Sequence, residues 1–247
     1  MAYVAYPEGT LWRANADGSE RRQLTFPPLQ AGLPRWSPDN TQIAFVGALP
    51  GKQWRIYLMS SDGGTPQQIT NAESGNEGDF DPIWSADGSS LAFGGNPILG
   101  EAPRKLVIRV LDVETGRISA LPGSEGLWSP RWSPDGKYVA ALSSDSAKLM
   151  LYELRTHEQV EIASGDINYP TWSRTGGSVY FDTAGNDPGF FRVHIRDRKI
   201  ERLVSLKDVH RSVGTFGTWT GLAPDDSLLV QRDAGAGEIY ALDWEAP

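Results

Sequence analysis

The sequence predicts an all-β fold, a β-propeller of four-stranded antiparallel blades, and three observations predict it. One phrase recurs along the chain: "PRWSPDNTQIAFVG" from Pro34, "PIWSADGSSLAFGG" from Pro82, "PRWSPDGKYVAALSSD" from Pro130, "PTWSRTGGSVYFDT" from Pro170 and a degraded "GTWTGLAPDDSLLVQRD" from Gly217. Its tryptophans, Trp36, Trp84, Trp132, Trp172 and Trp219, are separated by 48, 48, 40 and 47 residues, the period of propeller blades. No segment carries a helical hydrophobic period.

Each phrase reads as strand, tight turn, strand. Trp132 ends the first strand, and Ser133-Pro134-Asp135-Gly136 supplies the turn, proline presetting φ and glycine accepting a positive φ. An apolar strand follows, Ile43 to Val46 in one copy and Val179 to Phe181 in another, with alternate residues sharing a face. A second hairpin completes each unit, as in "WRIYLMSSDGGTPQQIT" (54–70) and "LMLYELRTHEQVEIA" (149–163). The tryptophans are expected to fill the wedge between neighbouring sheets. Asp39, Asp87 and Asp135 are expected to bind their own turn amides.

The 247 residues are expected to form one domain with blades at about 1–25, 33–70, 81–121, 128–163, 169–204 and 216–247. Four blades are full. The first lacks its phrase-bearing strand and the last its fourth, so both ends are three-stranded. Unpaired edges invite association, and three expectations follow: a fragment of a larger propeller, a six-bladed ring with thin ends, or completion by another copy.

Bulk properties narrow the function. A net charge of −8 and a pI near 4.9 argue against nucleic-acid and anionic-membrane partners. The absence of cysteine excludes disulfides, thiolate metal sites and cysteine nucleophiles. The opening "MAYVAYPEGTLW" has no basic region and no apolar run of a signal peptide, and no window is long and apolar enough to span a bilayer. His157, His194 and His210 are not spaced as zinc ligands. No nucleophile elbow, phosphate loop or dinucleotide fingerprint occurs, and "NAESGNEGDF" (71–80) lacks the order of a calcium loop. No cofactor, metal or catalytic residue is assigned, and the protein is expected not to be an enzyme.

Candidate binding residues lie where blades begin, because those loops approach the channel. "EGDFDP" (77–82), "GSEGLWSP" (123–130) and "SGDINYP" (164–170) place Asp79, Asp81, Glu125 and Asp166 there. Together they would ring one mouth with negative charge, drawing in a cation or a basic peptide; alternatively they are solvated carboxylates that cap strand ends. Trp128 and Tyr169, just before first strands, would line a ligand pocket. Trp12, Tyr57, Tyr152 and Tyr240 occupy equivalent hairpin positions and read as packing. The loop "GGNPILGEAPRK" (94–105), with Ile98 and Leu99, is a candidate contact loop.

"WSPDGKYVA" together with "IYLMSSDGG…QQIT" resembles the TolB-type, WD-repeat-like propeller repeat of bacterial proteins, over nearly the whole chain. The tail "GLAPDDSLLVQRDAGAGEIYALDWEAP" resembles the end of propellers carried C-terminally by bacterial multidomain sensors and regulators. The resemblance implies a non-catalytic binding scaffold with protein or peptide partners, and a periplasmic location among the options. It admits the substrate-gating propeller of a prolyl-oligopeptidase-like peptidase without its hydrolase domain; the unmatched ends admit an engineered propeller without selected function, and two carboxylates facing each other across the channel would admit a lyase or glycosidase.

Overall fold

The computed structural model describes residues 1–71, 78–95, 106–233 and 235. Glu77, Ile98, Leu99, Tyr240 and the expected closing strands lie outside these residues. Among the described residues there is no helix.

The strands fall into antiparallel sheets in the expected order. Blade 1 is β1 (Ala2–Ala5), β2 (Thr10–Arg13) and β3 (Arg22–Gln23). Blade 2 is β4 (Gln30–Trp36), β5 (Gln42–Ala48), β6 (Arg55–Ser60) and β7 (Gln67–Gln68). Blade 3 is β8 (Phe80–Trp84), β9 (Ser90–Gly94), β10 (Arg109–Asp112) and β11 (Ile118–Ala120). Blade 4 is β12 (Leu127–Trp132), β13 (Tyr138–Ser143), β14 (Lys148–Glu153) and β15 (Gln159–Ser164). Blade 5 is β16 (Ile167–Trp172), β17 (Ser178–Thr183), β18 (Gly189–His194) and β19 (Ile200–Ser205). A small hairpin of β20 (Val213–Gly214) and β21 (Gly217–Thr218) leads to β22 (Thr220–Leu222) and β23 (Leu228–Val230), which stand where a sixth blade begins.

The hydrophobic clusters lie between blades. Leu11 and Leu24 of blade 1 pack with Phe45 and Tyr57 of blade 2, and Val46 and Ile56 of blade 2 with Trp84 and Phe93 of blade 3. Ile108 joins Val139 and Tyr152 across blades 3 and 4, and Leu149 joins Trp172 and Phe181 across blades 4 and 5. The repeated tryptophan sits in this wedge as expected. Trp84 Nε1 donates to the Arg35 carbonyl at 3.1 Å, and Trp172 Nε1 to the Arg131 carbonyl at 2.8 Å, each reaching one blade back.

The turn after the tryptophan is built as the sequence suggests. Ser85 Oγ donates to Asp87 Oδ1 at 2.6 Å, the Ser89 amide donates to the same oxygen at 3.0 Å, and Gly88 holds φ +74°. The Ser85 hydroxyl, then the Ser89 amide and hydroxyl, bring the Asp87 carboxyl down to about 2. Asp39 and Asp135 make the same contacts.

The β22–β23 hairpin corrects the alignment of the fifth phrase. Its turn bonds run from the Ser227 amide to Asp225 Oδ1 and from the Asp226 amide to the Ala223 carbonyl, which makes Asp225 the turn aspartate. The wedge residue is therefore Leu222, packed against the blade 5 cluster of Tyr180, Phe190 and Leu206. Trp219 lies three residues too early, its ring lying over Gly221.

Candidate functional site

The innermost strands share a feature that sequence reading did not find. Each has a register shift just before its tryptophan, between Gly32 and Arg35, Phe80 and Ile83, Trp128 and Arg131, and Asn168 and Thr171. Within each bulge the residue preceding proline is a non-glycine with positive φ: Leu33 (+47°), Asp81 (+53°), Ser129 (+51°) and Tyr169 (+44°). Such a backbone costs on the order of 1–3 kcal/mol per residue and persists only where its surroundings impose it. Bulges re-aim side chains, and here all four converge on one cavity of about 280 Å³, walled further by Phe80, Trp128 and Phe216. The hairpin between β13 and β14 brings Asp145 to its rim.

Of the six candidates, Asp81, Trp128 and Tyr169 line this cavity. Trp128 is held by an Nε1 donation to the Ser143 carbonyl at 2.9 Å. Glu125 and Asp166 are exposed and are not among the cavity residues. Asp79 is fully buried; its carboxylate meets Arg55 at 3.2 Å and Arg109 at 3.0 Å, tying blade 3 to blade 2.

Asp81 is 4% exposed and bound on both sides. Arg35 of blade 2 meets Oδ1 at 3.0 Å, Arg131 of blade 4 meets Oδ2 at 2.9 Å, and Ser129 Oγ donates to Oδ2 at 2.6 Å. Burial pushes this carboxyl up, but Arg131, Arg35 and the Ser129 hydroxyl outweigh it and hold it below the usual carboxylate range. Burial, then Arg131, pull the Arg35 guanidinium down to about 10, against Asp81. Neither Asp79 nor Asp81 is therefore a solvated strand cap, and their charge is answered by four guanidiniums instead of being presented as a negative ring. The arginines were missed, although one signal existed: the phrase carries arginine before tryptophan in blades 2 and 4, while the blade between them has Ile83 there and Asp81 before its proline.

Phe216 is the other residue not foreseen. It comes from the β20–β21 hairpin and crosses to blades 2 and 3, where it meets Trp54 and Phe80 edge-on at centroid distances of 5.5 and 5.1 Å. The Tyr169 hydroxyl donates to its carbonyl, and burial raises that phenol above its usual range. Gly32 makes room, since a Cβ there would fall 2.2 Å from the Phe216 ring. Its only sequence sign is an aromatic residue in a short loop between Gly214 and Gly217.

These four-stranded antiparallel blades define the class of protein as a β-propeller. Within that class the fold is of the TolB type. The structure of TolB from Acinetobacter baumannii superposes with a TM-score of 0.69 at 21% identity, covering 92% of this chain and 61% of that one. A structure described as TolB from Agrobacterium tumefaciens gives 0.66 at 20% identity, covering 83% and 76%. The tricorn protease gives 0.59 at 13% identity, over 94% of this chain and 30% of that one. No protein-family model matches the chain. Two curated proteins match in sequence over segments. The uncharacterized peptidase YuxL of Bacillus subtilis is 38% identical over 58 residues, 24% of this chain and 8% of that protein. Dipeptidyl-peptidase 5 of Porphyromonas endodontalis is 31% identical over 83 residues, 34% of this chain and 11% of that protein. The matched segments thus span about a tenth of the length of these curated relatives.

Proposed function

We propose that the protein is a non-catalytic scaffold that binds a protein or peptide segment at the channel mouth. The observation that carries this reading is the convergence of four strained bulge residues, Leu33, Asp81, Ser129 and Tyr169, on one cavity. Its volume falls just below the roughly 300–1,000 Å³ of small-molecule pockets; it fits one side chain of a partner better than a cofactor. Its wall mixes aromatic faces with hydroxyl groups and a rim carboxylate, the composition of an anchoring pocket for a partner residue. The carboxylate inside, Asp81, is held ionised between two guanidiniums, which suits positioning and not proton donation. The sequence matches to peptidases are local and cover at most 11% of those proteins, so their activity is not carried over.

Panning a random peptide-display library on the full chain tests the reading. Enriched peptides are expected to bind Trp128→Ala at least about tenfold more weakly in calorimetry, as loss of an anchoring contact implies. No enrichment, or equal binding to wild type and Trp128→Ala, would overturn it.

A further inference from the structure

We infer that the β20–β21 hairpin is an internal plug, and that the partner segment which displaces it is anchored by an aromatic side chain. This deepens the scaffold reading and rests on it. Phe216 is held by contacts that a peptide could reproduce. Its ring lies edge-on to Trp54 and Phe80, in a space kept open by Gly32, and its carbonyl accepts from Tyr169. A side chain with two aromatic edges around it and one hydroxyl donor on its backbone describes an aromatic residue in an extended segment. The socket is continuous with the free cavity, since Phe80, Tyr169 and Phe216 wall both.

The hairpin that delivers Phe216 is anchored at its two ends, where Arg211 and Thr220 bind Asp182, and lightly held between them. β20 and β21 are two residues each and pair only with one another, and Val213 is 75% exposed. Withdrawing it leaves the four-stranded sheets of blades 2 to 5 intact. A ligand competing with a resident group binds with its affinity reduced by the fraction of molecules in which the site is open. With Phe216 seated most of the time, the wild-type chain masks its own preference.

The test uses N-acetyl-L-phenylalaninamide as probe and N-acetyl-L-leucinamide as control, titrated calorimetrically into the full chain. Phe216→Ala is expected to bind the phenylalanine amide at least about tenfold tighter than wild type does, and to prefer it to the leucine amide. A second arm covers a variant that fails to fold. Tyr169→Phe removes only the hydroxyl that donates to the Phe216 carbonyl, so chymotrypsin should release the fragment beginning at Gly217 faster than from wild type. No gain of affinity in Phe216→Ala, or unchanged cleavage in Tyr169→Phe, would make Phe216 a fixed packing residue and sink the plug. If library-selected peptides still bind through Trp128 in that event, the scaffold reading stands alone. An aromatic-selective socket in Phe216→Ala without any enriched peptide would remove the scaffold reading and keep the socket.

Discussion

Asp81 shows how the meaning of a residue is settled by groups far from it in sequence. A carboxylate before a blade's first proline reads as a loop charge at a channel mouth, yet Arg35 lies 46 residues before it and Ser129 48 residues after it. Removing one partner of a buried ion pair costs about 3–5 kcal/mol because it strands the opposite charges. Asp81→Asn keeps the shape and removes the charge, leaving Arg35 and Arg131 facing each other, so it is expected to lower urea stability at neutral pH by that amount. The pH dependence follows from the depressed folded pKa. The unfolded chain takes up this proton first as pH falls, so the contribution is whole above about pH 4 and lost as pH drops through the lower folded value. Urea midpoints between pH 7 and pH 3 should therefore fall less in Asp81→Asn than in wild type. Equal slopes would mean the charge is not what the arginines hold. What sequence could yield here was the position of the carboxylate; its burial and counter-charges depend on the packing of three blades.

At the scale of the element, turns were legible and bulges were not. The turn advertises itself because its residue types are the ones its geometry needs. Gly136 sits at φ +71° with open space around the place of a Cβ, so its requirement is conformational and not steric. Gly136→Ala is accordingly expected to cost about 1–2 kcal/mol, the penalty of a left-handed alanine, read from urea unfolding. A cost near zero would show that the turn relaxes to another type. The bulges give no such sign: their left-handed residues are leucine, aspartate, serine and tyrosine, with no glycine among them. Only the following proline is constant. Tertiary contacts impose that backbone, Asp81 through its arginines and Ser129 through Asp81. The fifth phrase shows the opposite hazard, since its conspicuous Trp219 drew the register three residues away from Leu222. The turn aspartate, Asp225, was the better guide.

On the whole molecule, the couplings between blades are uneven, and that sets how it should open. Blades 2, 3 and 4 are joined through Asp81, and Asp79 adds a second buried link between 2 and 3. Blades 4 and 5 share the Trp172 bond to the Arg131 carbonyl and a large apolar cluster. Asp182 of blade 5 reaches Arg211 and Thr220 at 2.8 Å each, toward the β22–β23 hairpin. Blade 1 is attached by its apolar cluster, by the Ala31 amide to the Gly9 carbonyl and by Arg13, which reaches the Ser61 carbonyl and Asp62, but by no buried ion pair among the described residues; the Arg13–Asp62 pair is of the exposed kind worth about 0–1 kcal/mol. Local opening follows such differences in buried contact. Native-state hydrogen exchange is expected to show β2 exchanging before β9 and β13, although all three are interior strands of their sheets. Asp81→Asn supplies the sharper reading. If Asp81 binds three blades into one unit, the variant should lower amide protection in β5, β9 and β13 together and leave β17 ahead of them. Loss confined to the amides of β8 would mean that each blade is stable by itself, and the arginine–aspartate cluster would then shape the cavity without holding the ring.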